Sequence, residues 1–312
     1  MTRNGQAVNY RGNDAAALTM LVEMFDTQNA HQAGTAAGPR AASIRGDAKG
    51  YPVLAARAKR MRGWPHAALL VCCLAITPGA SGQPAGDAEA QARTIVEKAD
   101  EVRFPREPFE VNVTITSTLE DGAIEARKYR ILSKGNQNTI VSALEPASER
   151  GQAMLMKGRD LWIFMPTISQ PVRLSLAQRL TGQVANGDLA RVNFTGDYVP
   201  TLLRTDTIDG EPTHVLELKA AERGVTYHRV LYWVREKGNR PYKAQFFSVS
   251  DNLLKTCLYE DYRQLAGRLR PSRLVMEDAL RKDEKSVLEY REMRMRDLPD
   301  KMFTKDYLKH LD

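Results

Sequence analysis

The chain has 312 residues, 43% of them hydrophobic, which allows one large or two ordinary domains around a substantial core. Its basic excess is local: residues 1–82 hold nine Lys and Arg against four Asp and Glu, whereas residues 83–312 hold 36 against 34. A nearly neutral surface with both signs interspersed excludes a grip on a phosphate backbone, and no nucleic-acid partner is expected.

Residues 14–25, "DAAALTMLVEMF", could form a short helix, while residues 27–60 are rich in Ala, Gly and Arg without a sustained period. Residues 1–60 are therefore expected to be disordered, or an upstream extension absent from the cellular protein. Next, Arg57, Lys59, Arg60 and Arg62 precede an apolar run from Ala67 to Ile76, followed by Pro78, Gly79, Ala80, Ser81 and Gly82. That order of basic, apolar and small residues is a secretion signal, here residues 61–82, cleaved near Gly82. The run is too short to span about 30 Å of hydrocarbon, and a buried core helix lacks amphipathic surroundings. Val71 precedes Cys72 where a lipoprotein signal needs a small residue, so neither Cys72 nor Cys73 is expected to carry lipid. Export would leave Cys257 alone, read as a buried small hydrophobe in the strand-like "LLKTCLYED".

From residue 83 the chain reads as one domain. Ala92, Ile95, Val96 and Ala99 recur at helical spacing in residues 86–103, predicting an amphipathic helix. After Pro105 and Pro108 the period becomes two. Phe109, Val111, Val113, Ile115 and Leu119 fall on one face of "FEVNVTITSTLE" and polar residues on the other. Asp121-Gly122 marks a hairpin turn, and "AIEARKYRILS" returns as the partner strand. Nine further runs follow, from "NTIVSAL" to "SVLEYREMRM", joined mostly by short turns such as Lys157-Gly158 and Asp209-Gly210. About eleven strands in hairpin sequence predict one large antiparallel sheet, which must twist and curl. Residues 173–198 break the rhythm, with helical patches predicted at 175–180 and 188–193; a loop this long is more often functional than incidental. A final helix is predicted at "FTKDYLKHLD", with Thr304 as N-cap and Tyr307, Leu308 and Leu311 on its apolar face.

The blocks "RILSKGNQNTIVSALEPASERGQAMLMKGRDLWIFMP", "RLSLAQRLTGQVANGDLARVNFTGDY", "YWVREKGNRPYKAQFF" and "FTKDYLKHL" resemble the outer membrane lipoprotein-sorting protein family. That family is similar in fold to the periplasmic carriers LolA and LolB, and the resemblance runs from about residue 92 to 311. It implies an α+β fold: an incomplete, strongly curved antiparallel barrel lidded by a few helices, with acyl chains held in the apolar cavity between them. Fold carries over more securely than cargo.

Side-chain chemistry argues against an enzyme. His214, His228 and His310 show no metal-binding spacing, no G-x-S-x-G elbow or phosphate loop is present, and Glu260 and Asp261 alternate across a strand. No catalytic residue, cofactor or metal is expected. Binding needs apolar surface instead. Trp162 and Phe164 oppose Leu161, Ile163 and Met165, and Leu231 and Trp233 oppose Val230, Tyr232 and Val234, so both strands are apolar on two faces; Phe246 and Phe247 are adjacent. A packed core beneath helices uses the same side chains as a carrier cavity. With the resemblance, the candidate lipid-binding residues are Phe109, Val111, Val113, Ile115, Trp162, Phe164, Leu231, Trp233 and Phe246. The expected function is a periplasmic, monomeric carrier that ferries acyl chains of a lipoprotein or other lipid toward the outer membrane. It would make transient membrane contact and could engage an inner-membrane exporter. The alternative is a non-carrier accessory subunit of an envelope exporter; an enzyme acting on lipid comes third.

Overall fold

Pro105 and Pro108 separate two periodicities, and the chain changes structure between them. In the computed structural model the helical period forms α1 (Ala85–Arg103), and Phe104 N–H still donates to Asp100 O at 2.9 Å before the first strand begins. Ala92, Ile95, Val96 and Ala99 form its buried stripe, as their spacing predicts. The structure describes residues 85–309 apart from Asn136, Ser169, Val192 and Lys282, all within the unit Gln83–Asp312. The upstream extension expected at residues 1–60, the secretion signal expected at 61–82 and Leu311 lie outside the described residues. Among the described residues no helix is long and apolar enough to cross a membrane.

Strands β1 (Phe109–Thr118), β2 (Ile124–Lys134), β3 (Asn138–Glu145), β4 (Ala153–Lys157), β5 (Asp160–Phe164) and β6 (Val172–Leu174) form one run of antiparallel neighbours. A short hairpin, β7 (Arg179–Thr181) and β8 (Val184–Ala185), stands apart as its own two-stranded sheet, followed by α2 (Asn186–Ala190). The second run is β9 (Tyr198–Ile208), β10 (Glu211–Ala220), β11 (Arg229–Arg235), β12 (Arg240–Phe247), β13 (Leu253–Leu265), β14 (Arg268–Asp278) and β15 (Lys285–Met295). Because β1 pairs with β15, the two runs join into a 13-stranded sheet with β6 and β9 as its edges. The sheet is strongly curved and not closed, an incomplete barrel of the α+β class.

Two of these strands are absent from the sequence reading, and both are edges. β6 is three residues long, and β9 carries Pro200, which an edge tolerates because no neighbour requires its missing N–H. The helical patch predicted at 175–180 is a correction: those residues turn into β7. The second patch is displaced, forming helix at Asn186–Ala190. Turn chemistry is obeyed at a second Asp-Gly pair. At Asp209-Gly210 both residues have positive φ, 52° and 76°, which matches the right-handed twist of β9 and β10.

The convex face has its own cover. Leu132, Ile140, Ala153 and Leu155 pack there with Leu298, Met302, Phe303 and Leu308 from the C-terminal segment. That segment ends in α3 (Lys305–Leu308), and Thr304 caps it by accepting from Tyr307 N–H at 3.2 Å. Thr304→Ala is expected to cost about 1 kcal/mol in thermal melts, and Thr304→Ser close to nothing.

Candidate functional site

Sheet order dictates what covers the concave face. β6 and β9 lie on opposite edges, so the segment between them, residues 175–197, has to cross the sheet's open side. It does so with its apolar residues inward: Leu176, Val184, Leu189, Ala190 and Phe194 are all buried in the main core cluster. Beside it lies α1, resting on β9, β12 and β14.

The crossing hairpin touches the sheet where first and last strands meet. Ser117 on β1 and Ser286 on β15 are cross-strand partners with hydroxyls 2.8 Å apart, and Gln183 N–H donates to Ser286 Oγ at 2.9 Å. Gln183 Nε2 also donates to Glu284 Oε2 at 2.9 Å. Gly182 permits this approach: an added Cβ would lie 2.2 Å from Ser117 Oγ and 2.3 Å from Ser286 Oγ, and its φ is +49°.

A charged network fixes α2. Asp188 accepts from Lys255 Nζ at 2.6 Å, from the Tyr227 hydroxyl at 2.8 Å and from Ala185 N–H at 2.8 Å. Lys255 also donates to Gln183 O, so one cation ties β13 to both parts of the insert. Burial, with Asp188 adding to it, holds the Tyr227 phenol well above its ordinary pKa, so it stays a donor. Cys257, two residues along β13 on the same face, is fully buried, and burial pushes its thiol up to about 12. It is expected to resist thiol reagents in the native protein and to react only on unfolding, as labelling across a denaturant series would show.

The C-terminal end of α1 closes the other side. Arg270, 2% exposed, donates through Nη1 to Glu101 O at 2.6 Å and Val102 O at 3.2 Å, occupying carbonyls the helix leaves free. Asp100 Oδ2 accepts from Phe194 N–H, Thr195 N–H and Thr195 Oγ1 at 2.9, 2.8 and 2.7 Å. Burial nonetheless pushes its carboxyl above the usual range, outweighing Arg103 and those donors.

The candidate residues divide between faces. Phe109, Val111, Val113, Ile115 and Phe246 belong to the interior cluster beneath α1 and the insert. Trp162 and Phe164 face the convex side under the C-terminal segment, with Lys305 Nζ 4.2 Å from the Trp162 ring centroid. Leu231 and Trp233 also point away from the interior, since Val230, Tyr232 and Val234 take the inward positions of β11. Lys243 Nζ lies 4.0 Å from the Trp233 ring centroid. The sequence reading missed Arg103, Asp188, Tyr227 and Lys255. Two signals were present: Lys255 shares strand parity with Cys257 and Tyr259, and Arg103 continues the buried helical stripe four residues after Ala99.

A cavity of about 30 Å³ remains between insert and sheet, lined in part by Arg103, Asp188, Asn193, Phe194, Tyr227 and Phe246. It has room for about one or two waters. A groove of about 350 Å³ adjoins it, lined also by Glu97, Glu101 and Arg106 at the α1 end, and Arg191 and Asn193 line both. Among the described residues no His, Cys, Asp and Glu group as metal ligands would.

A curved antiparallel sheet covered on its concave face by a helix and a crossing insert is the lipoprotein-carrier fold. The chain is 61% identical to a LolA superfamily protein from Nitrosomonas europaea, with a TM-score of 0.67 over 69% of this chain and 98% of that one. Two solved structures share the fold at lower identity. A DUF1329 family protein from Desulfovibrio piger is 19% identical, with a TM-score of 0.62 over 71% of this chain and 99% of that one. An outer membrane lipoprotein-sorting protein domain from Vibrio parahaemolyticus is 17% identical, with a TM-score of 0.62 over 71% and 99%. A family model described as "Uncharacterized protein"-like matches residues 135–310. No curated protein matches. The chain belongs to the LolA superfamily.

Proposed function

We propose that this protein is a periplasmic carrier that binds acyl chains of a lipoprotein or lipid against the concave face of its sheet, without catalysing a reaction. The observation that carries this is the cover. α1 and residues 175–197 are separate segments laid over an apolar surface, and they contribute small and aliphatic side chains such as Ala92, Val96, Val184 and Leu189. Methylene groups can take the places of those side chains. Burying about a dozen methylenes contributes of order 10 kcal/mol gross. Much of that is offset, because the displaced cover loses its own apolar contacts. A carrier needs this near balance, since cargo must also leave, and the exchange requires no nucleotide hydrolysis.

A second reading rests on the same interior. A cavity with room for about one or two waters beneath the insert also suits a periplasmic accessory subunit with a permanent core, docking on an envelope exporter. Native mass spectrometry of protein purified from the periplasm without detergent separates the two. Carrier function predicts a lipid-sized mass increment that organic extraction removes and added lipid restores; protein that is lipid-free and takes up none is the accessory.

A further inference from the structure

We propose that Arg103 and the Tyr232 hydroxyl form a headgroup site inside the protein, which takes the oxyanion of an acidic single-chain lipid while the acyl tail lies along Phe194, Tyr227 and Phe246. This rests on the carrier reading and adds the chemical class of the cargo.

Arg103 is 7% exposed, and its guanidinium sits among rings, 4.7 Å from the Phe194 centroid and 5.5 Å from that of Tyr259. Its ion-pair partner is Asp100, at 3.4 Å from Nη1. Arg103 Nη1 meets Asp100 Oδ1, while the other carboxylate oxygen, Oδ2, accepts from Phe194 and Thr195. Arg103 Nε has no hydrogen-bond partner, and neither has the hydroxyl of the fully buried Tyr232. Phe194 adjoins both residues, its centroid 5.1 Å from that of Tyr232. Asn193 Oδ1, on the wall of the same cavity, is a buried acceptor without a donor, and unpaired polar groups gathered around one ring are costly in a folded protein and rare. A carboxylate or phosphate oxygen in the cavity that Arg103 lines would satisfy its Nε, and a guanidinium fork suits that geometry better than a point charge does.

The carboxylates on the cavity wall are already paired. Asp188 and Asp197 line the same small cavity, but Asp188 is held by Lys255, and Asp197 by Arg191 and Arg159. Access is short, because Arg191 and Asn193 line both the cavity and the groove.

The test uses the full chain, delipidated and titrated calorimetrically with oleate, oleyl alcohol and dodecyl phosphate. Oleate is expected to bind at least about tenfold tighter than oleyl alcohol, the advantage of a charge-assisted hydrogen bond. Arg103→Gln should abolish that preference and Tyr232→Phe should reduce it several-fold, each losing more affinity for oleate than for oleyl alcohol. Dodecyl phosphate binding more tightly than oleate assigns the oxyanion to phosphate lipids; the reverse order assigns it to carboxylates. Equal binding of oleate and its alcohol by the parent protein overturns the headgroup site and leaves the carrier reading standing. Binding of no amphiphile overturns both. Should Arg103→Gln fail to fold, Tyr232→Phe decides, and an undiminished preference in that variant overturns the site.

Discussion

Replacing Lys255 by Met should lower the melting temperature by roughly 10 °C. The side chains of Lys255 and Asp188 are 5% and 7% exposed, and their atoms lie 2.6 Å apart. Removing the cation leaves Asp188 with one phenol and one backbone N–H in a site walled by Phe246 and Met276. Breaking one side of a buried pair costs about 3–5 kcal/mol, because the remaining charge is neither solvated nor neutralised. Each kcal/mol shifts the midpoint by about 2–4 °C in a domain of this size. Asp188→Leu combined with Lys255→Met should recover much of the loss, since apolar replacement of both partners removes the stranded charge. A single variant that melts with the parent protein would show that this pair contributes nothing to holding the insert down.

Much of the sheet was legible because its strands meet as hairpins. Alternation in β1, Asp121-Gly122 and Asp209-Gly210 are local signals, and the structure follows each. The covered interior was less legible, because which face of a doubly apolar strand turns inward depends on sheet curvature and distant segments. Nothing within "DLWIF" distinguishes Leu161, which is in the interior cluster, from Trp162, which packs under Phe303 and Leu308. The same holds for Tyr232 and Trp233. Inward-facing charges were visible by parity but look like solvated residues until the partner is known. Lys255 is explained by Asp188 and Gln183 O, 67 and 72 residues away and on a segment without a clear period. The edges failed for a different reason: β9 breaks its pattern with Pro200, a residue that sequence logic bars from central strands and that topology admits at the margin.

Gly182→Ala should free the crossing segment while leaving the sheet folded. The added methyl would meet Ser117 Oγ at 2.2 Å, Ser286 Oγ at 2.3 Å and Ser117 Cβ at 2.8 Å, in a backbone conformation with φ +49° that alanine disfavours. Neither serine can retreat, since both are ladder residues paired across the central β1–β15 junction. Removing one hydroxyl is not enough, because the Ser117 Cβ clash persists. The hairpin must therefore lift, which forfeits the Gln183 bonds to Ser286 and Glu284. Overpacking and left-handed strain together cost about 2–4 kcal/mol. If that cost falls on local opening of the insert, amide exchange across 175–190 should accelerate by roughly a hundredfold, with β1 and β15 still protected. The carrier reading adds a further consequence, that lipid should enter and leave the variant faster than the parent protein. Unchanged protection at 175–190 would mean that the sheet yields instead, and that the insert is core rather than cover.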